Sequence, residues 1–310
     1  MLQSTFAFSQ KLRSRNAPPV EVTELEMAIL RALHHYRLLE WRQLLELFAA
    51  SITDTKHLAE RIELLYRNAY LEEIPRPLYP DELSKGQVYR LGPAGAQLLS
   101  GQLSIQFPNF QYWGKKDDKQ RRLTKVSRDY LSHSIELADI RIRFERAAAQ
   151  NGIEIEQFRD ETDLKRGGTW PRVDVTMARG EQVRVPILPD GYFILAGPQG
   201  RAHFFLEHDR STEVIGTKWQ RKILGYKQFV LSGEFHRHYG ISGNATPLRI
   251  LTTTPSLARS HNLKAAAETY GPAEATALFL FTPLSELVSH DALHSPIWLR
   301  SGAAKLHNIL

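Results

Sequence analysis

Three carboxylates stand at the ends of two short apolar runs, and their types and spacing suit a divalent cation. Residues 188 to 212 read LPDGYFILAGPQGRAHFFLEHDRST. Tyr192 to Leu195 and Ala202 to Leu206 are apolar and aromatic, and the AGPQGR cluster between them marks a turn. This pattern predicts a hairpin of two buried strands. Asp190 precedes the first strand, and Glu207 and Asp209 end the second. Side chains alternate along a strand, so Glu207 and Asp209 share one face and His208 takes the other. A turn centred between Pro198 and Gln199 sets Asp190 opposite Glu207, at a Cβ separation of roughly 5 Å. Like charges that close repel, and a metal held by oxygen ligands relieves them. On this reading Asp190, Glu207 and Asp209 are metal ligands. The same residues also read as polar strand ends and a Pro-Asp-Gly turn, with the acids paired to Arg210 or Lys222.

The elements that must position this hairpin follow from periodicity. Residues 127 to 150 predict one long helix, with Leu131, Ile135, Ala138 and Ile142 along one side and His133, Glu136, Ile140 and Arg143 along a neighbouring one. Ile153 to Phe158 is a strand, 160 to 172 a polar loop, and 172 to 177 with 182 to 187 an extra hairpin. After the Pro189 hairpin come a helix (213 to 231), a strand (248 to 253), a helix (255 to 270) and a short strand (277 to 281). Lys218, Lys222 and Tyr226 lie four apart and share a face of the first of these helices, so Lys222 can reach back to the carboxylates.

The first hundred residues have a different character. Residues 1 to 20 form a basic arm with Lys11, Arg13 and Arg15. Thr23 is an N-cap with Glu26 three residues on, and Leu25, Ile29, Leu33 and Tyr36 repeat at helical spacing. A second helix covers 41 to 49; a third, capped by Thr53 or Asp54, buries Leu58, Ile62 and Leu65. Strands at 70 to 74 and 88 to 91 flank a Pro-rich loop, and Gly92-Pro93 opens a last short helix. Three helices followed by a two-stranded wing is the winged helix-turn-helix pattern, whose third helix enters the major groove of double-stranded DNA. Lys56, His57, Arg61 and Arg67 on that helix are the candidate contacts, with Arg76 and Lys85 of the wing on phosphates. Glu60 and Glu63 among those cations leave open a docking or dimerising role, with a second copy or another protein as partner. Residues 111 to 128 then carry seven cations, among them Lys115, Lys116, Arg121 and Arg122, against Asp117 and Asp118. Tyr112 and Trp113 sit beside them. Cations next to aromatics suit a nucleic-acid strand; a solvated linker has the same composition.

The whole chain sets limits. It has 310 residues, 42% hydrophobic and 24% charged, with a net charge of +6. The length suggests one large or two ordinary domains, and the change of character along the chain sets them as residues 21–105, a basic linker at 106–124, and residues 125–310. With no cysteine there is no disulfide, thiol nucleophile or cysteine-zinc site. The N-terminus lacks the apolar core of a signal peptide, and no apolar run approaches the ~20 residues of a membrane span, so a cytoplasmic location with no membrane partner is expected. His236-Arg-His238 has strand spacing but no third ligand nearby, and Ser289-His290-Asp291 is only sequence adjacency, not a triad. A glycosidase with paired carboxylates finds no support in the basic charge.

The second half thus runs helix, strand, strand hairpin, helix, strand. With Pro189-Asp190 and Glu207-x-Asp209 in place, it resembles the PD-(D/E)xK, or restriction-endonuclease-like, nuclease core. The resemblance implies an α+β or α/β fold, a winged helix-turn-helix followed by an αβββαβ core. It also implies Mg²⁺ or Mn²⁺ on the Asp and the Glu, a lysine at the third position, and an acid from the first helix, here Glu136 with Asp139 behind it. This chain departs at the third position, which is Asp209. A lysine migrated to the following helix, Lys222, would complete a Mg²⁺-dependent endonuclease; without it the domain is expected to be inactive. The chain also resembles the replication-relaxation family of bacterial plasmids and mobile elements, over roughly residues 22 to 232. VYRLGPAGAQLL, LSHSIEL, PDGYF, FFLEHDRSTE and GYKQF carry that likeness. It implies DNA association and mobile-element biology, either as a nicking enzyme or as a regulator or replication accessory with a degenerate nuclease fold.

Overall fold

A computed structural model describes residues 18–74, 86–107, 110–112, 128–166, 170–177, 180–198, 200–241 and 248–310. The basic arm, the wing-loop residues Arg76 and Lys85, and Lys115, Lys116, Arg121 and Arg122 lie outside the described residues. The chain divides into two units, residues 1–138 and 139–310.

In the first unit, α1 (Glu24–His35) starts where the Thr23 N–H donates to Glu26 at 2.9 Å. Its inner face buries Ile29, Leu30 and Leu33. A short strand that the sequence pattern does not announce, β1 (Leu38–Glu40), leads into α2 (Trp41–Phe48). The Asp54 side chain caps α3 (Thr55–Arg67) by accepting from His57 N–H at 2.7 Å. Then follow β2 (Leu71–Ile74), β3 (Val88–Leu91) and α4 (Pro93–Gln102). The strands form an antiparallel sheet in the order β1-β3-β2. Gly95 lets α4 lie against β2: a Cβ there would sit 2.2 Å from the Tyr70 carbonyl oxygen.

Helix α5 (Arg128–Gln150) contains the division between the units, whereas the sequence reading placed the boundary at residue 124. The reason lies in its first turns: Leu131 and Ile135 bury against Leu38, Ile74 and Val88 of the first unit.

The second unit continues with β4 (Glu154–Asp160) and α6 (Glu161–Lys165), the latter falling where a loop was expected. Next come β5 (Arg172–Thr176) and β6 (Gln182–Pro186), a separate two-stranded sheet, and the hairpin β7 (Gly191–Gly197) and β8 (Gly200–His208). A π-helical turn, Ile215–Trp219, runs into α7 (Gln220–Leu231), and α8 (Glu234–Tyr239) follows. The remainder is β9 (Leu248–Thr254), α9 (Leu257–Thr269), β10 (Phe279–Pro283), α10 (Leu284–Ser289), β11 (Trp298–Arg300) and β12 (Leu306–His307). Seven strands make one mixed sheet in the order β12-β11-β10-β9-β8-β7-β4. β4, β7 and β8 pair antiparallel; β9 runs parallel to both β8 and β10. The fold is mixed α+β.

Alternation along β7 and β8 supplies both faces of this sheet. Tyr192 and Phe205 join Tyr226, Phe229, Ile250 and Phe279 on one side. Phe193 and Phe204 stack on the other, with Phe144 of α5 5.0 Å from Phe193 and 6.3 Å from Trp298. Each fully buried Phe contributes about 1.5–3 kcal/mol, so the hairpin carrying the acids is anchored through both layers.

Candidate functional site: a buried acid–lysine centre

The hairpin register is the one the turn residues dictate. Gly197 pairs with Gly200 and Gly191 with Leu206, so the next positions outward, Asp190 and Glu207, oppose each other. The Asp190 Oδ2 accepts the His208 backbone N–H at 2.8 Å, tying the loop end of β7 to the end of β8.

Glu207 is buried, at 1% exposure, and both of its oxygens have donors. Lys222 Nζ donates to Oε2 at 2.9 Å, and Tyr226 Oη donates to Oε1. Burial pushes the Glu207 carboxyl up to about 7; Lys222 opposes the rise, the charge of Asp190 adds to it, and the Tyr226 hydroxyl opposes it. Burial works against the Lys222 charge, yet Glu207, Asp190 and Glu213 together raise its pKa, so it stays protonated. Burial and the adjoining Glu207 raise the Tyr226 phenol far above its ordinary range. Lys222 also lies 3.1 Å from Glu213 and 5.0 Å from the centre of the Trp219 ring.

Asp209 does not join this group. Its carboxylate takes Arg259 Nε at 2.6 Å and Nη2 at 3.1 Å, and the Trp219 indole N–H at 3.1 Å. Arg259 Nη2 donates further to the Glu213 carbonyl at 2.6 Å. Asp209 therefore anchors α9 and the π-helical turn to the end of β8. Among the described residues no group of three or more His, Cys, Asp or Glu is placed to hold a metal ion. The three-carboxylate arrangement expected from the sequence is thus corrected to a pair. The oxygen donors that fit a divalent ion are the Asp190 and Glu207 carboxylates. Beside them is Thr252 Oγ1, which stands next to Glu207 in register and is buried without a hydrogen-bond partner among the described residues. Hard oxygen donors of this kind suit Mg²⁺ or Mn²⁺.

The remaining candidates are placed as follows. Lys222 and Tyr226 meet Glu207 together, but Lys218 lies in the π-helical turn, where the spacing departs from 3.6 residues, and among the described residues it pairs with Glu213 at 3.9 Å. Glu136 belongs to the first unit and Asp139, 6% exposed, to the second. On α3, Lys56 is 77% exposed, with Glu60 3.8 Å away. Arg61 turns inward to pair with Glu26, and Arg67 pairs with Glu63 at 2.7 Å. The His57 backbone closes the helix cap. Arg61 and Arg67 thus each have an intramolecular acid partner.

Sequence reasoning missed Glu213, Trp219 and Arg259. Arg259 had one legible signal, an arginine three residues after the helix-capping Ser256, which accepts the Arg259 N–H at 3.2 Å.

The model of the Replication-relaxation family matches residues 30–244. The chain belongs to that family, which associates it with plasmid or mobile-element replication or relaxation. No curated protein and no solved structure matches it. Among the described residues, no helix is long and apolar enough to cross a membrane.

Proposed function

We propose that the chain is a DNA-binding protein of plasmid or mobile-element replication or relaxation whose second unit acts on DNA phosphodiesters, nicking one strand. One observation carries this reading: Lys222, from the helix after the hairpin, stands 2.9 Å from Glu207, which opposes Asp190. An acid pair with a lysine beside it supports a metal-dependent nuclease site, with the lysine supplied from a helix in place of Asp209. Asp190 and Glu207 would hold one Mg²⁺ or Mn²⁺, which when bound lowers the pKa of water and offsets phosphate charge. Lys222 keeps its positive charge and is one-third exposed, so it can meet a phosphate oxygen at the rim. Tyr226 fixes the second oxygen of Glu207, and the Asp209–Arg259 pair holds the π-helical turn that aims Lys222.

The element order of the first unit supports a winged helix as the duplex-binding part, with Lys56 on its third helix and the basic run at 111–128 adding charge. A second copy or another mobile-element protein is a further candidate partner.

The test is conversion of supercoiled plasmid to open circle with Mg²⁺, Mn²⁺ or EDTA. Wild type is expected to nick only with metal. Asp190→Asn should be inactive, and Lys222→Met slower by about a hundredfold or more. A second reading, a DNA-binding regulator or replication accessory that does not cut, is favoured by one observation: both Glu207 oxygens already have protein donors. Plasmid binding without nicking under every metal condition would select it.

A further inference from the structure

Phe107, Phe110 and Tyr112, which follow α4 in sequence, form a ladder of aromatic rings with His34 of α1. His34 and Phe110 stack at 4.8 Å between centroids, Phe110 and Tyr112 at 6.3 Å, and Tyr112 and Phe107 at 6.5 Å, all within 28° of parallel. The inner rung is fixed. Phe110 is 2% exposed, and its N–H is held at 3.1 Å by the carbonyls of Gln106 and Phe107. The outer rung is open. Phe107 is 37% exposed, and Ile105 and Leu103 continue the apolar stripe at 42% and 54%.

A ring face left in water at the end of a rigid stack is poor for folding and good for stacking. We propose that this ladder is a platform for the unpaired bases of single-stranded DNA, with Phe107 as the end rung that receives them and Tyr112 as the rung that backs it. Every base has a π-face that stacks on an aromatic side chain, and pairing in a duplex buries that face. Charge selects the polyanion over an apolar protein partner. The sequence directly after Tyr112 carries seven cations against two acids, and Arg31, exposed on α1, donates to Gln102 at the base of the stripe at 3.1 Å. The acid that bears on Tyr112, Glu72, is already paired with Arg90 at 2.7 Å. It shares no residue with the acid–lysine centre or with α3. It would let one chain hold a melted strand, which an intact duplex does not offer.

The experiment is fluorescence anisotropy of the full chain with a labelled oligothymidine and, separately, a mixed-sequence duplex, at about 50 mM salt. Phe107→Ala and Phe107→Leu should each lose about tenfold or more for the single strand, and Phe107→Trp should not, because only the tryptophan restores the aromatic face. Duplex affinity should be unchanged in all three. Phe107 is exposed, so folding is not at stake, and a matching thermal melt checks it. Equal losses for single strand and duplex would overturn the proposal, as would a Leu variant as good as wild type. Wild-type nucleic-acid binding combined with loss of a dimer in sedimentation would assign the stripe to self-association instead. Because the duplex is measured separately, failure of the duplex reading leaves this result intact, and the reverse.

Discussion

Lys222 and Glu207 meet at 2.9 Å although fifteen residues separate them in sequence. Glu207 ends β8; the chain then turns through Ser211, whose φ of 60° is left-handed, and through the π-helical turn before α7 carries Lys222 back. Tyr226, four residues on, arrives on the same face, so one helix surface supplies a donor to each carboxylate oxygen.

Lys222→Met should therefore leave a buried carboxylate without its cation. Breaking a buried pair from one side costs about 3–5 kcal/mol. Lys222 is one-third exposed and water screens part of that, so a loss of about 1–3 kcal/mol is expected in urea unfolding. Adding Glu207→Gln should recover part of it. A double variant no more stable than Lys222→Met would mean that the unpaired charge is not the cause.

The pH dependence has a definite sign. In the unfolded chain Glu207 ionises near 4.5, and in the fold burial, with the Asp190 charge adding, lifts it to about 7 against Lys222 and Tyr226. The folded state thus holds a proton that the unfolded state has released. This contribution is full below about 4.5 and is lost as pH rises through about 7, at up to about 1.4 kcal/mol per pH unit. The stability difference between wild type and Glu207→Gln should fall across that window and be flat above it. A difference that grows with pH would make Glu207 an ordinary paired carboxylate.

Local signals made the hairpin legible. AGPQGR fixed the turn, the apolar runs fixed the strands, and the period of two then set Asp190 against Glu207. Lys222 and Tyr226 were readable because they lie on one helix face. Arg259 was not, since it reaches Asp209 from fifty residues away and no periodicity records such a contact. For the same reason Asp209 looked like a ligand. Its neighbour Glu207 shares its face, but a face does not say which cation waits there. Strands of two or three residues such as β1, β11 and β12 carry no alternation long enough to read.

Gly225 tests how the small β5–β6 sheet supports α7. A Cβ there would lie 2.8 Å from Val185 Cγ1 and 3.3 Å from Ile187 Cδ1. Gly225→Ala should destabilise the chain by about 1–3 kcal/mol through overpacking, despite alanine's better helix propensity. Val185→Ala made in the same chain should restore part of the loss. If Gly225→Ala melts at or above wild type, the sheet moves freely aside and does not brace the helix.

The metal question turns on Asp190. The asparagine amide oxygen can still accept the His208 N–H, so Asp190→Asn removes the charge and leaves the hydrogen bond that holds the loop. Without metal, the substitution takes away one of the charges that raise Glu207, and the variant should melt higher than wild type. With millimolar Mn²⁺, wild type should gain stability by linkage, about 2.7 kcal/mol at a hundred times the dissociation constant, and Asp190→Asn should gain none. Asp209→Asn separates ligand from anchor. It gives up a charge held by Arg259 and Trp219, so it should lose stability and keep the full Mn²⁺ response. Thermal melts of the three chains, each with and without Mn²⁺, decide the matter. A wild type that ignores Mn²⁺ together with a destabilised Asp190→Asn would mean that Asp190, Glu207 and Lys222 are a structural charge cluster, and the non-cutting regulator would be the better account.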